Sequence, residues 1–275
     1  HMAVNILKPI FMRGMYYHSN GSIPGRGAHK GKKHIEKWIK HDPKNFKYVL
    51  KMDIRKYFDS VSQDILKQKL KRIIRDEKFL RLLFEIIDVS DKGIPLGFYT
   101  SQWFANFYLQ DLDHFIKEHT YAPHYERYVD DIVIAGANKK KLHQTRKEID
   151  EYCRTYLALE VKGNWQVFRF DYERNGKRYG RPLDFMGFLF FRNRTVIRKK
   201  IFLRATRKAA RIFRKEKVTW FDATQILSYL GWFSCSNTYG SYKKYIKNAV
   251  NVRSMKRKIG AHARRMNDDT KLQNR

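Results

Sequence analysis

Apolar positions along this chain switch between the two periods of regular structure. Lys47–Ile54, KYVLKMDI, is a short apolar run ending near an aspartate, which is the pattern of a buried strand. Ile65, Leu66, Leu70, Ile73 and Ile74 then recur at helical spacing behind Ser62, a candidate N-cap, with Asp64 in the first turn. Gly93–Thr100 is punctuated by Gly and Pro and reads as a loop. Phe104, Phe107, Tyr108, Leu112, Phe115 and Ile116 mark the apolar face of a second helix, capped by Thr100 or Ser101. Tyr125–Ala135, YERYVDDIVIA, reads as two apolar strand arms around a tight acidic turn. A charged helix is expected over Lys139–Tyr156, then strands near Leu159–Phe170 and Asp184–Phe191, then a basic helical remainder. Residues 14–33, rich in Gly and Lys/Arg, read as a loop or hairpin. No internal repeat or low-complexity linker separates independent domains, so the expectation is one compact α+β body of two or three subdomains.

Composition changes this picture mainly through charge. Hydrophobic residues make up 43% and aromatics 15%, which excludes a disordered tail protein. Lys and Arg number 58 against 27 Asp and Glu, a formal net charge of +31. Such an excess repels itself on folding unless a polyanion is the usual partner, and nucleic acid fits better than an acidic membrane surface. The excess is uneven: residues 192–275 hold 23 Lys/Arg and 4 Asp/Glu, so most acids lie in the first two thirds. Chemistry is therefore expected there, and phosphate-backbone binding in the last third. Arg198, Lys199, Lys200, Arg204, Arg207, Lys208, Arg211 and Arg214 are its candidate contacts. No run approaches the roughly 18–20 apolar residues of a membrane span, and no signal peptide is visible, so a cytoplasmic protein is expected. Cys153 and Cys235 form no metal-ligand pattern and need not pair. His114, His119 and His124 lack zinc-site spacing, and no metal is assigned to them.

The acids carry the candidate chemistry. Nucleotidyl transfer needs the attacking 3′-oxygen and the leaving pyrophosphate stabilised together. Two divalent ions about 4 Å apart, held by carboxylates on rigid elements, do this. Asp53 near the end of a buried strand and Asp130-Asp131 at a turn between apolar arms suit that task. Taken singly, each has an ordinary structural reading, as a strand-end cap or a polar turn. An Asp-Asp pair in so apolar a segment nonetheless costs free energy unless a cation neutralises it.

Tyr128-Val129-Asp130-Asp131 resembles the Y-x-D-D box of reverse transcriptases, and YVLKMDIRKYFDSV (48–61) resembles their first palm motif. The resemblance implies a right-hand polymerase fold with an antiparallel palm sheet flanked by helices. It implies partial fingers at 3–47, a palm at 48–191 with a finger-like insertion at about 62–95, and a basic helical thumb and tail at 192–275. It further implies two Mg²⁺, with Mn²⁺ as a substitute, on Asp53, Asp130 and Asp131, the first two foremost. Phe58 would be the steric gate under the incoming sugar, although an aromatic after a strand is also an ordinary core residue. An RNA-directed DNA polymerase would take dNTPs, a template RNA and a primer/cDNA duplex.

Leu96-Gly97-Phe98-Tyr99-Thr100-Ser101-Gln102 is similar to the L-G-x-x-x-S-Q element of diversity-generating retroelement reverse transcriptases, and residues 228–245 also resemble their C-terminal region. Membership would imply misincorporation opposite template adenines and a small basic oligomeric accessory variability protein as partner. Leu96 would lie near the templating base, Gly97 would allow close backbone approach, and Gln102 would offer a donor and an acceptor to template or dNTP. Arg26, flanked by Gly25 and Gly27, and Lys30 are candidate triphosphate contacts on a flexible fingers loop; a merely solvated basic loop is the competing reading. Lys162 sits where a pyrophosphate-protonating lysine sometimes stands, and DFMGFLFF (184–191) resembles a primer-grip hairpin. Only about fifty residues precede Asp53, so the expected fingers are short. Two alternatives stay open: a reverse-transcriptase-like polymerase of bacterial phage defence, and a degenerate palm serving as an RNA-binding scaffold.

Overall fold

A computed structural model describes residues 1–273, with side chains described through residue 266. The chain divides into two compact units, residues 1–181 and 182–275.

The first unit opens with helix α1 (Met2–Gly14), a two-residue strand β1 (Ser19–Asn20) and helix α2 (Ala28–His41). Strand β2 (Tyr48–Asp53) leads into the short helix α3 (Tyr57–Ser60). Helices α4 (Gln63–Ile73), α5 (Glu77–Asp88), α6 (Tyr99–Tyr108) and α7 (Gln110–Glu118) follow. The hairpin β3 (His124–Tyr128) and β4 (Asp131–Gly136) precedes helix α8 (Lys139–Leu157), strand β5 (Gln166–Arg169), and a small hairpin of β6 (Tyr172–Arg174) and β7 (Lys177–Tyr179).

The main sheet has the order β1-β3-β4-β2-β5, with β1 parallel to β3 and every other pairing antiparallel. β4 stands at its centre as DIVIAG, with residues 132–136 all buried. That burial explains why its sequence is a continuous apolar run rather than an alternating one. Leu50, Met52, Tyr125, Ile132 and Ile134 of the sheet join Phe104, Tyr108, Leu112, Ile149 and Cys153 of the helices in one core. α6 is buried at eight of its ten positions, as a helix apolar on every side requires.

Local signals in the sequence predict β2, α4, the β3–β4 hairpin and α8, whereas α1, α3 and α5 are additional to that reading. Ser62 caps α4, its hydroxyl accepting from Ile65 N–H, and Asp76 caps α5 through Phe79 N–H at 2.9 Å. Four expectations change. The expected single helix after residue 100 is two, α6 and α7, separated at Leu109. Neither Thr100 nor Ser101 caps it: the helix already starts at Tyr99, so the Ser101 hydroxyl turns back to the Pro95 carbonyl. The strand expected over 159–170 is confined to Gln166–Arg169, because Gly163 and Asn164 break the run. Lys30, Lys32 and Lys33 lie on α2 rather than on a flexible loop.

The second unit is a three-stranded antiparallel meander, β8 (Leu183–Phe185), β9 (Phe188–Phe190) and β10 (Thr195–Ile197), followed by helices. These are α9 (Lys199–Phe213), α10 (Trp220–Ser234), α11 (Tyr239–Tyr242) with a π-helical turn at Lys243–Lys247, and α12 (Val252–Gln273). Ala205, Ala209, Ile212, Ala223, Ile226 and Phe233 form its core. Thr219 and Asp222 make a reciprocal capping box at the start of α10. Among the described residues no helix is long and apolar enough to cross a membrane.

Candidate active site

The acidic turn is built by register. In the β2–β4 pairing Asp53 stands opposite Asp131, and in the β3–β4 pairing Asp131 stands opposite Tyr128. Only Val129 and Asp130 then remain to connect β3 to β4. Antiparallel geometry therefore brings together three aspartates that lie nearly eighty positions apart in the sequence. Val129 holds φ +57°, a left-handed conformation that a β-branched residue rarely adopts. Two bonds keep it there. Val129 N–H donates to the Asn20 carbonyl at 3.0 Å, and Arg127 Nη1 donates to the Val129 carbonyl at 2.7 Å. A Cβ built on Gly21 would lie 2.7 Å from Val129 Cγ2, so the chain beside β1 must be glycine for the turn to seat. Strain of this kind persists only where the surroundings over-determine it, typically at functional sites.

Two cations face the acids. Lys162 Nζ donates to Asp53 Oδ2 at 2.9 Å, and Lys51 Nζ lies 3.5 Å from Asp131 Oδ2. Lys162 is positioned by backbone, since its N–H donates to the Asp53 carbonyl at 2.8 Å and Val161 bridges to Ile54. The contact with Asp53 raises Lys162 above its ordinary value, so it stays charged. Burial pushes the Asp130 and Asp131 carboxyls up to about 6, and the charge of Asp53 acts on both in the same direction. Asp131 Oδ1 is buried with no hydrogen-bond partner. Hard oxygen donors, an unsatisfied carboxylate oxygen and mutual repulsion fit a site for divalent cations. Among the described residues the three aspartates do not converge as tightly as His18, His34 and Glu126, whose ligating atoms lie within 4.8 Å of one another. Repulsion between carboxylates, with a lysine drawn to each of two of them, accounts for that looser arrangement.

Behind the turn lies a buried polar frame that the sequence reading missed. Asp113 on α7 and Arg127 on β3 are both fully buried and pair in a two-pronged bond, Nε to Oδ1 and Nη2 to Oδ2, each 2.6 Å. Ser19 Oγ donates to Asp113 Oδ2 at 2.6 Å, and Tyr125 OH donates to Asp113 Oδ1 at 2.5 Å. Asn106 on α6 accepts from Arg127 Nη1 through Oδ1 and donates through Nδ2 to the Gly21 carbonyl. The one available signal was the charged pair Glu126-Arg127 between the two tyrosines of the arm that leads into the acidic turn.

The other expected site residues are more scattered in character. Phe58 lies on α3, half-buried at the edge of the main core, and its carbonyl accepts from Ile94 N–H at 3.0 Å. Gln102 on α6 accepts from Ser22 Oγ at 2.9 Å, which ties the middle motif to the glycine-rich segment. Gly97 takes φ +90° with open space where a side chain would be, and Leu96 beside it is 69% exposed. Arg26 donates to the Tyr16 carbonyl at 2.9 Å, and Lys30 Nζ sits 4.2 Å from the centre of the Tyr17 ring. In the second unit Arg198 and Lys208 are bound internally, to Asp184 and Asp222. Lys199, Lys200, Arg204, Arg207, Arg211 and Arg214 remain exposed along or beside α9.

A palm-like antiparallel sheet with an acidic turn at one end, flanked by helices, places the first unit among polymerase folds. The same fold occurs in telomerase of Candida tropicalis in complex with a fragment of telomeric RNA. The match has a TM-score of 0.54 and 13% identity, and covers 89% of this chain and 47% of that one. Telomerase of Candida albicans in complex with such a fragment matches at TM-score 0.53 and 13% identity, over 89% and 49%. Residues 1–166 match the family model described as reverse transcriptase (RNA-dependent DNA polymerase), and the chain belongs to that family. A curated relative, the retron Ec73 reverse transcriptase of Escherichia coli, is 30% identical over a stretch covering 40% of this chain and 41% of that protein. The chain thus spans less than half the length of these relatives.

Proposed function

We propose that this chain is an RNA-directed DNA polymerase that extends a primer along a template RNA by two-metal nucleotidyl transfer. The observation that carries the reading is the register that sets Asp53 opposite Asp131 with Asp130 in the strained turn between. These three carboxylates would hold two Mg²⁺, or Mn²⁺ in their place, which supply Lewis-acid activation of the primer 3′-oxygen and charge neutralisation at the pyrophosphate. Phe58 limits the space for the sugar and selects dNTPs. Gln102, oriented by Ser22, contacts the nascent pair, while Gly97 and Leu96 border it. Arg26 and Lys30 lie on the fingers side for the triphosphate, and Lys162, already charged, neutralises the leaving group. The exposed basic residues of α9 track the duplex backbone as part of a thumb over 192–275, with the palm at 48–191 and partial fingers at 3–47.

The middle motif Leu96–Gln102 favours a diversity-generating retroelement enzyme, error-prone at template adenines and working with a small basic accessory protein. The retron relative favours a second reading, a retron-type reverse transcriptase. Primer extension on an RNA template with Mg²⁺ and dNTPs, comparing wild type with Asp130→Asn and sequencing the products, tests all of this. Extension lost in the variant supports the polymerase site. Errors concentrated at template adenines support the first subtype, and faithful copying supports the second. Wild type that extends nothing, with structured RNA and accessory protein supplied, refutes the activity.

A further inference from the structure

A second group of ligating side chains lies on the far side of β3 from Arg127. It draws on three elements: His18 just before β1, His34 on α2 and Glu126 on β3. His18 Nδ1 and His34 Nδ1 are 2.9 Å apart, and each is 3.2 Å from Glu126 Oε2. A tetrahedral zinc with bonds of about 2.0–2.1 Å has ligand atoms about 3.3 Å apart along each edge. The two 3.2 Å separations come close to that edge, and the 2.9 Å one is shorter by about 0.4 Å.

Burial points the same way. Glu126 is fully buried, with side-chain exposures of 22% for His18 and 13% for His34. No Lys or Arg pairs with Glu126 among the described salt bridges. A hydrogen-bonded trio can share only one proton per contact, whereas a cation would satisfy all three atoms. The surrounding groups resemble the outer shell of a metal site. Asn20 Nδ2 donates to Glu126 Oε1, which leaves Oε2 for a metal. Tyr17 and Trp38 pack their rings against His18 and His34.

We propose that His18, His34 and Glu126 form a transition-metal site, of the class that takes Zn²⁺, with the fourth position open to water beside the partly exposed His18. The ion clamps β1 and α2 to β3, and so braces from behind the strand that enters the acidic turn. Its role is structural and separate from the aspartates. Two imidazole nitrogens and one carboxylate oxygen suit Zn²⁺ rather than Mg²⁺, so the two sites take different ions.

The test is equilibrium zinc binding to the metal-stripped full chain, by competition with a chromophoric chelator, together with the visible spectrum of the Co²⁺-loaded protein. One equivalent should bind, with tetrahedral Co²⁺ bands. Thermal melting should rise by roughly 5–10 °C at zinc a hundredfold above Kd. His34→Gln and Glu126→Gln should each weaken zinc at least about tenfold, while Asp130→Asn and exposed His114→Gln keep it. If Glu126→Gln fails to fold by circular dichroism, His18→Gln stands in for it. Wild type that takes up no zinc at micromolar concentration, or ligand variants that bind it as well as wild type, overturns the proposal. Because the readout is metal stoichiometry and not primer extension, failure here leaves the polymerase reading standing, and the converse holds.

Discussion

Asp113→Asn removes one charge from the fully buried pair with Arg127 and changes little in volume, so no cavity contributes. Ser19 and Tyr125 donate to different carboxylate oxygens, so the single amide oxygen keeps only one of these bonds, each worth about 1 kcal/mol. What is lost is the counter-charge of a guanidinium with no exposure to water. Breaking such a pair costs about 3–5 kcal/mol, a large share of the roughly 5–15 kcal/mol that holds a domain together. At about 2–4 °C per kcal/mol, melting should fall by roughly 6–20 °C. Native-state hydrogen exchange should localise the loss to β3, β4 and α7. Because Arg127 also holds the Val129 carbonyl, extension activity should drop further than melting at the assay temperature accounts for. Replacing both partners, Asp113→Asn with Arg127→Met, should recover stability relative to the single variant and leave activity low. A single variant that loses less than about 1 kcal/mol in urea denaturation would refute the claim that this pair frames the turn.

Three further outcomes follow from the same geometry. Asp130→Asn relieves repulsion with Asp53, so melting in EDTA should hold or rise, while extension falls about 10²–10³-fold and any Mg²⁺-induced stabilisation disappears; lower melting in EDTA would contradict the electrostatic argument. Phe58→Val should raise incorporation of rNTPs relative to dNTPs by roughly 10–200-fold in competition assays, and an unchanged ratio would return Phe58 to the core alone. Bonds from Lys208 and Lys215 and the capping box at Thr219 hold Asp222 well below the usual carboxylate range. A depressed folded-state value means its stabilisation is present above the unfolded value near pH 4 and is lost as pH falls through the folded one. Asp222→Asn should therefore melt lower than wild type at pH 7, with the gap closing under strong acid; a gap constant with pH would exclude this linkage.

Much of this protein was determined by local sequence. The apolar run ending near Asp53, the Ser62 cap and the two arms around Asp130-Asp131 depend on neighbours only a few residues away. Period and turn chemistry therefore suffice to place them. The motif order around those aspartates likewise pointed to the family that residues 1–166 match. Tertiary structure decided what depends on distant partners. Nothing near Asp113 in sequence announces that it will neutralise Arg127, or that Asn106 will tie both to Gly21. The left-handed Val129 runs against its own preference and is held by Asn20 and Arg127. Lys30 reads as loop because its stretch is rich in glycine, yet packing of Ile35 and Ile39 under α2 makes the segment helical. His18, His34 and Glu126 are unremarkable in sequence, since a parallel β1–β3 pairing and a helix from elsewhere bring them within reach. Spacing along a chain encodes contacts within a turn or a hairpin; contacts across a sheet exist only once the whole core has formed.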